Sequence, residues 1–110
     1  MEPNDLRRLR EVGTETDVPA GHVLIERGQH GAGLYVVLEG TVLIEAPEGE
    51  REVGPGNVVG ERALLSADGT RTARARATTP LRVLAVDRAG FDRLCAADPS
   101  FLERLDRASA

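Results

Sequence analysis

Seven short segments rich in β-branched and apolar residues follow one another along most of the chain, with glycine or proline between them. They cover residues 14–18, 22–26, 34–39, 41–46, 51–53, 72–78 and 82–86. Short strands at regular spacing, separated by turn residues, are typical of antiparallel sandwiches and jelly rolls. In segment 72–78, alanine alternates with arginine, as in a strand with one face toward a core. The sequence therefore predicts a mainly β barrel over residues 14–86.

A helix is predicted at each end of this barrel. Leu6, Leu9 and Val12 recur at helical spacing after Asn4, a residue that can cap a helix, so we expect a helix over about residues 4–12 that ends at Gly13. Asp87 is an expected N-cap for a helix through Ala96. A further helix should begin at Asp98 and Pro99 and carry Phe101, Leu102 and Leu105, because proline suits the first helical position. The C-terminal helices together cover about residues 88–109.

The segment 60–75 has the residue types of an anion site. Gly60 allows the backbone to approach a ligand closely, and the good helix formers from Arg62 to Leu65 favour one short helical turn. The unpaired N–H groups of such a turn point toward an anion. Glu61 and Arg71 flank the turn, where a carboxylate can accept hydrogen bonds from sugar hydroxyls and a guanidinium can bind two phosphate oxygens. An anionic ligand that carries a ribose fits both groups.

This segment resembles the phosphate-binding cassette of cyclic nucleotide-binding domains, which runs roughly F-G-E-x-A-L-L, a short loop, then R-[TSA]-A. The matching residues are Gly60, Glu61, Ala63, Leu64, Leu65, Arg71, Thr72 and Ala73. Val59 and Thr70 depart from the pattern, since phenylalanine and proline are common there. Similarity to the family also extends over residues 18–21, 34–40, 54–61 and 91–94. The resemblance implies a cyclic nucleotide-binding β-roll (a jelly-roll barrel, or double-stranded β-helix) flanked by short N- and C-terminal helices.

The resemblance also implies roles for single residues. Glu61 would accept a hydrogen bond from the ribose 2′-OH, Arg71 would pair with the exocyclic phosphate oxygens, and backbone amides near Ala63 and Ala73 would complete the phosphate site. Thr72 could contact the phosphate or the amino group of guanine, so the choice between cAMP and cGMP stays open. The predicted ligand-binding residues are Val59, Gly60, Glu61, Arg62, Ala63, Leu64, Arg71, Thr72 and Ala73.

The C-terminal end of the chain bears on two points: how the base of a bound nucleotide would be covered, and how binding would be signalled. A helix over residues 99–110 would span only about 18 Å, so the resemblance implies a base-covering helix that is short or missing. The base would then be partly exposed, or covered by a partner, or the chain would be part of a longer protein.

No helix-turn-helix, kinase or channel segment is expected within these 110 residues. The expected function is a cyclic nucleotide sensor whose helix movement signals to a partner or to a missing effector domain. The output could be homodimerisation, docking on a separate effector protein, or regulation of a domain lost by truncation.

Composition limits the function further. The chain has 110 residues, which predicts a single domain over residues 1–110, and 14 basic against 18 acidic residues give a formal charge of −4. Direct nucleic-acid binding is not expected, because phosphate backbones require a basic face. A single cysteine, Cys95, excludes an internal disulfide, and no apolar run is long enough to cross a bilayer. We therefore expect a cytoplasmic protein without a membrane partner.

Three other interpretations compete with the sensor. His22 and His30 lack the spacing of a metal site, so a metal-dependent barrel enzyme is not expected, and neither is a cofactor. Cys95 shares an apolar helical face with Phe91 and Leu94, which favours packing over catalysis. The alternative from another class is a structural or protein-interaction module that keeps the fold without binding nucleotide. The sequence therefore predicts a binding domain that is not an enzyme.

Overall fold

The computed structural model describes residues 3–26, 33–60, 73–101, 103 and 104. Two helices flank eight strands in these ranges. The elements are α1 (Pro3–Val12), β1 (Thr14–Val18), β2 (Val23–Ile25), β3 (Gly33–Glu39), β4 (Val42–Ala46), β5 (Gly49–Val53), β6 (Val58–Val59), β7 (Arg74–Ala77), β8 (Leu81–Asp87) and α2 (Arg88–Ala97). Residues 101, 103 and 104 are also helical.

The strands form two antiparallel sheets of four. The first sheet has the order β1-β8-β3-β6, and the second has the order β2-β7-β4-β5. Most neighbours come from distant parts of the chain, as when β1 pairs with β8 through Thr14 and Ala85, whereas β4 and β5 are consecutive and form a hairpin. This arrangement confirms the mainly β fold with short flanking helices.

The first sheet is buried on both faces, which gives the molecule three layers. Along β3, Leu34 and Val36 face the helices, whereas Tyr35 and Val37 face the second sheet. The helix-side core consists of Leu9, Leu34, Val36, Val58, Leu84, Val86, Phe91, Leu94 and Phe101. The inter-sheet core consists of Val18, Ile25, Val37, Val42, Ile44, Val59, Ala75, Ala77, Leu81 and Val83. Period-two alternation along the strands separates these two cores.

Most of the predicted elements are present, with two differences. Helix α1 begins at Pro3, so Asn4 lies inside the helix and is not its cap. Proline is well suited to the first turn, because its missing N–H would have no intrahelical partner there. The strand β6 was not predicted, since two valines after the Gly54–Asn57 turn are too short a run to show a period. At the other end, the prediction for Asp87 is confirmed: its side chain accepts a hydrogen bond of 2.7 Å from the Gly90 N–H.

A cluster of charged side chains joins the N-terminal helix to the segment after α2. Arg104 donates two hydrogen bonds of 2.8 Å to the two carboxylate oxygens of the buried Asp5. The same guanidinium contacts Asp98, which also accepts a bond of 2.5 Å from Arg8. Ser100 donates to the other oxygen of Asp98 at 2.8 Å. Bidentate pairs of this kind fix orientation as well as adding energy, so the chain around residue 104 is held against α1.

This cluster predicts an acid-dependent contribution to stability. The hydrogen bonds from Arg104, and then that from Ser100, lower the pKa of Asp98 from 3.8 to about 2. Because the folded-state pKa lies below the unfolded value, this contribution is complete above the unfolded pKa and is lost as the pH falls through the folded one. Urea unfolding between about pH 5 and pH 2 should therefore show a steeper loss of stability for the wild type than for Asp98→Asn. Equal slopes would show that the protonation of Asp98 is not linked to folding.

Candidate functional site

The structure describes three of the nine residues predicted to bind the ligand. Val59, Gly60 and Ala73 lie at the two ends of the predicted cassette. The other six lie outside the described residues, and their assigned roles stay predictions: they are Glu61, Arg62, Ala63, Leu64, Arg71 and Thr72. The geometry of the site is therefore built from its two ends and from the sheets that hold them.

The first end leaves the edge of the first sheet at Gly60. Val59 is 2% exposed and pairs with Tyr35 of β3, which fixes the position of the chain just before the cassette. Gly60 has a φ of 90°, in the left-handed region. Residues other than glycine rarely adopt this backbone conformation without strain, so glycine is the suitable residue at this end of the first sheet.

The second end enters the middle of the second sheet. Ala73 is half-buried, packs against the inter-sheet core, and leads directly into β7, which lies between β2 and β4. Val59 belongs to the same core. The two ends of the cassette are thus anchored in opposite sheets but share one apolar core.

The strand β7 confirms the predicted alternation. Ala75 and Ala77 are buried on its inner side, at 2% and 0% exposure. Arg74 and Arg76 lie on the outer side, and each forms an ion pair with a glutamate. Arg74 Nε lies 2.9 Å from Glu26 Oε1, and Arg76 Nε lies 3.5 Å from Glu45 Oε1. The hydrogen bond to Glu26 raises the pKa of Arg74.

Cys95 and the side chains of metal-ligating type bear on other possible chemistries. Cys95 is half-buried against the helix-side core, and burial raises the pKa of its thiol, which disfavours the reactive thiolate. No three histidine, cysteine, aspartate or glutamate side chains in the described ranges are grouped so that they could hold a metal ion. Within the same ranges, neither the length nor the hydropathy of any helix suffices to span a membrane.

Comparison with known proteins identifies the family. The family model for the cyclic nucleotide-binding domain matches residues 15–98, a range that includes the whole predicted cassette. The chain belongs to the cyclic nucleotide-binding domain family. This confirms the resemblance derived from the segment 60–75.

Curated members of this family include channels and transcription regulators. The chain is 33% identical over 92 residues to a cyclic nucleotide-gated potassium channel of Rhizobium etli, covering 84% of the chain and 26% of the channel. It is 30% identical over 116 residues to the CRP-like cAMP-activated global transcriptional regulator of Mycobacterium tuberculosis, covering 100% of the chain and 51% of the regulator. The chain thus spans about a quarter of the channel and about half of the regulator.

Solved structures share the fold of this cyclic nucleotide-binding domain. One, described as "A cyclic-GMP-dependent signalling pathway regulates bacterial phytopathogenesis", superposes with a TM-score of 0.87 at 30% identity, covering 97% of this chain and 89% of that one. The Thermus thermophilus Catabolite Activator Protein superposes with a TM-score of 0.82 at 27% identity, covering 97% of this chain and 53% of that one. The two-sheet architecture is therefore that of the catabolite activator type.

Proposed function

We propose that this domain binds a cyclic purine nucleotide, cAMP or cGMP, at the cassette and acts as a regulatory sensor with no chemistry of its own. The observation that carries the proposal is the family match, which spans both anchored ends of the cassette and the residues between them. In this proposal Glu61 accepts the ribose 2′-OH, and Arg71 pairs with the phosphate. The backbone amides near Ala63 and Ala73 complete the anion site, as at other helix N-termini.

The nucleotide would act by shifting the balance between two arrangements of the helical layer. A ligand can shift such a balance only by as much as its affinities for the two arrangements differ. The cassette is connected through Val58 and Val59 to both cores, so a change at residues 61–72 can reach the helices through β6. The signal would pass to a homodimer partner or to a separate effector protein. We propose that residues 1–110 form a single domain and that the domain acts in the cytoplasm.

The relatives support a regulatory role but leave the preferred base open. The Mycobacterium tuberculosis regulator is named for activation by cAMP, whereas the solved structure with the TM-score of 0.87 belongs to a cyclic-GMP-dependent pathway. Both descriptions are compatible with a site in which Glu61 binds the ribose and Arg71 binds the phosphate, because cAMP and cGMP share these two groups. Discrimination between the two bases therefore depends on contacts other than those of Glu61 and Arg71.

Isothermal titration of the 110-residue chain with cAMP and with cGMP tests the proposal. We expect micromolar or tighter binding of at least one nucleotide, about −8 kcal/mol. Glu61→Ala should weaken binding of that nucleotide and reduce the preference for it over the 2′-deoxy analogue, because the ribose 2′-OH would lose the carboxylate that accepts its hydrogen bond. Absence of heat with both nucleotides would favour the structural module instead, and an unchanged 2′-deoxy preference would refute the role of Glu61.

A further inference from the structure

A cleft of about 440 Å³ lies between α1 and the end of β3, on the helix side of the first sheet. Leu6 of α1 and Leu38 of β3 line this α1–β3 cleft, and both pack at the margin of the helix-side core. Leu38 continues the row of Leu34 and Val36, but it is half-buried, whereas those two are each 1% exposed. The apolar row of β3 therefore ends in an open depression with an apolar floor.

The turn after β5 forms one wall of the α1–β3 cleft through Pro55 and Gly56. Two backbone hydrogen bonds hold this turn to β3. The Gly56 N–H donates to the Val37 carbonyl at 2.8 Å, and the Val37 N–H donates to the Asn57 carbonyl at 2.9 Å. This wall is therefore preformed, as is usual for binding sites.

Charged side chains that bind one another form another wall. Glu15 accepts hydrogen bonds from Arg10 and, at 2.7 Å, from Arg82 Nη2. Arg82 Nε donates to the same carboxylate at 3.1 Å, and Arg82 Nη1 donates to Asp17 at 2.9 Å. The guanidinium of Arg82 is thus occupied by two acidic residues of β1.

Glu39 differs from the other charged residues of the cleft. In the strand register, Arg82 lies opposite Asp17 on one side and opposite Glu39 on the other. Its guanidinium binds the acids of β1, and Glu39 forms no ion pair or side-chain hydrogen bond with any residue that the structure describes. Glu39 is exposed and lines the cleft. Its carboxylate can therefore accept hydrogen bonds from a cation that enters the cleft.

The complementary ligand has an apolar group next to a positive charge. A site for a small molecule usually buries about 70–90% of the ligand surface. Here Glu39, Pro55 and Gly56 are all exposed, so the cleft suits a side chain that another protein presents. We propose that the α1–β3 cleft docks a segment of a partner protein in which a large aliphatic side chain is adjacent to a lysine or arginine. The aliphatic side chain lies over Leu6 and Leu38, and the cation pairs with Glu39.

The position of the cleft suits a regulatory partner. The turn that carries Pro55 and Gly56 continues through β6 to Gly60, where the cassette begins. A partner seated in the cleft lies beside the chain that enters the cassette. The inference therefore specifies the chemistry of an effector for the proposed sensor, but the docking site needs no residue of the cassette.

Three capped dipeptides test the docking site on the 110-residue chain in the absence of nucleotide. They are acetyl-Leu-Arg-amide, acetyl-Leu-Glu-amide and acetyl-Gly-Arg-amide, and amide chemical shifts in NMR spectra report where each one binds. We expect saturable, millimolar binding of the Leu-Arg probe, with shifts at Leu38, Glu39 and Gly56. The other two probes should bind at least about fivefold more weakly, because each lacks one of the two complementary groups.

Variants of Glu39 test the charge contact. Glu39→Gln should remove the preference for the Leu-Arg over the Leu-Glu probe, and Glu39→Arg should reverse it, because the ligand cation would then meet a like charge. Glu48→Arg is the matched control, since it makes the same charge change at the exposed turn between β4 and β5. It should keep the wild-type preference.

The other outcomes contradict the proposal. Equal binding of the Leu-Arg and Leu-Glu probes by the wild type, or the same preference in all three variants, would overturn the contact with Glu39. Shifts centred elsewhere, or no saturable shifts up to the solubility limit of the probes, would overturn the site. Shifts at the cleft amides that depend on the concentration of the protein alone would show that a second copy of this chain fills it. Because no cyclic nucleotide is present, each result is independent of the proposed function.

Discussion

Arg71→Ala is expected to weaken binding of the preferred cyclic nucleotide by at least thirtyfold. Removing one partner of a desolvated charge pair costs about 2–5 kcal/mol, because the other charge is left without compensation, and about 1.4 kcal/mol corresponds to a factor of ten in affinity. The expected effect exceeds that of Glu61→Ala, since the guanidinium is proposed to meet the full charge of the phosphate. Isothermal titration of wild type and variant measures it directly.

The control for Arg71→Ala is Arg76→Ala. Both changes remove one arginine, but Arg76 lies on the outer face of β7, where it pairs with Glu45. Its loss should leave the nucleotide affinity within about twofold of the wild-type value, in line with the small energies of exposed ion pairs. An Arg71→Ala chain that titrates like the wild type would refute the proposed phosphate contact. Equal losses in both variants would point to a general effect of net charge.

Local patterns in the sequence were sufficient to predict most of the fold. The alternation of alanine and arginine in β7 predicts which side chains are buried, and Asp87 predicts the start of α2, because both signals depend on residues a few positions apart. The range predicted for β1, residues 14–18, matches Thr14–Val18 in the structure. The family was identifiable because the cassette combines several residue types within sixteen consecutive positions.

Interactions between distant positions could not be predicted in this way. Asp5 and Arg104 are 99 positions apart, and nothing near either residue indicates the partner. Arg51 and Arg74 look alike in sequence, yet the register places them on opposite faces of the second sheet, one accessible and one paired. The partner of Arg74 depends on the pairing of β7 with β2, and the pairing of such distant strands leaves no local signal. The contacts of Glu61 and Arg71, by contrast, stay predictions from the resemblance alone.

Phe101→Ala is expected to lower the free energy of unfolding by about 3–5 kcal/mol, the usual cost of truncating a fully buried phenylalanine. Phe101 is 0% exposed, and its ring meets that of Phe91 edge to face, with centroids 6.4 Å apart and an interplanar angle of 62°. Each 1 kcal/mol shifts the melting temperature of a domain of about this size by roughly 4–8 °C, so the variant should melt at least about 12 °C lower.

Leu43→Ala is the matched control for this variant. Leu43 is half-buried on the outer face of the second sheet, opposite Arg76 and Glu52 and away from both cores, so its truncation should cost about 1 kcal/mol or less. Phe101 lies in the helix-side core with Leu9 of α1 and Val58 of β6. A cost near that of Leu43→Ala would show that the chain beyond α2 is only loosely attached in solution. A cost of several kcal/mol would establish that this segment is part of the folded core next to the strand that enters the cassette.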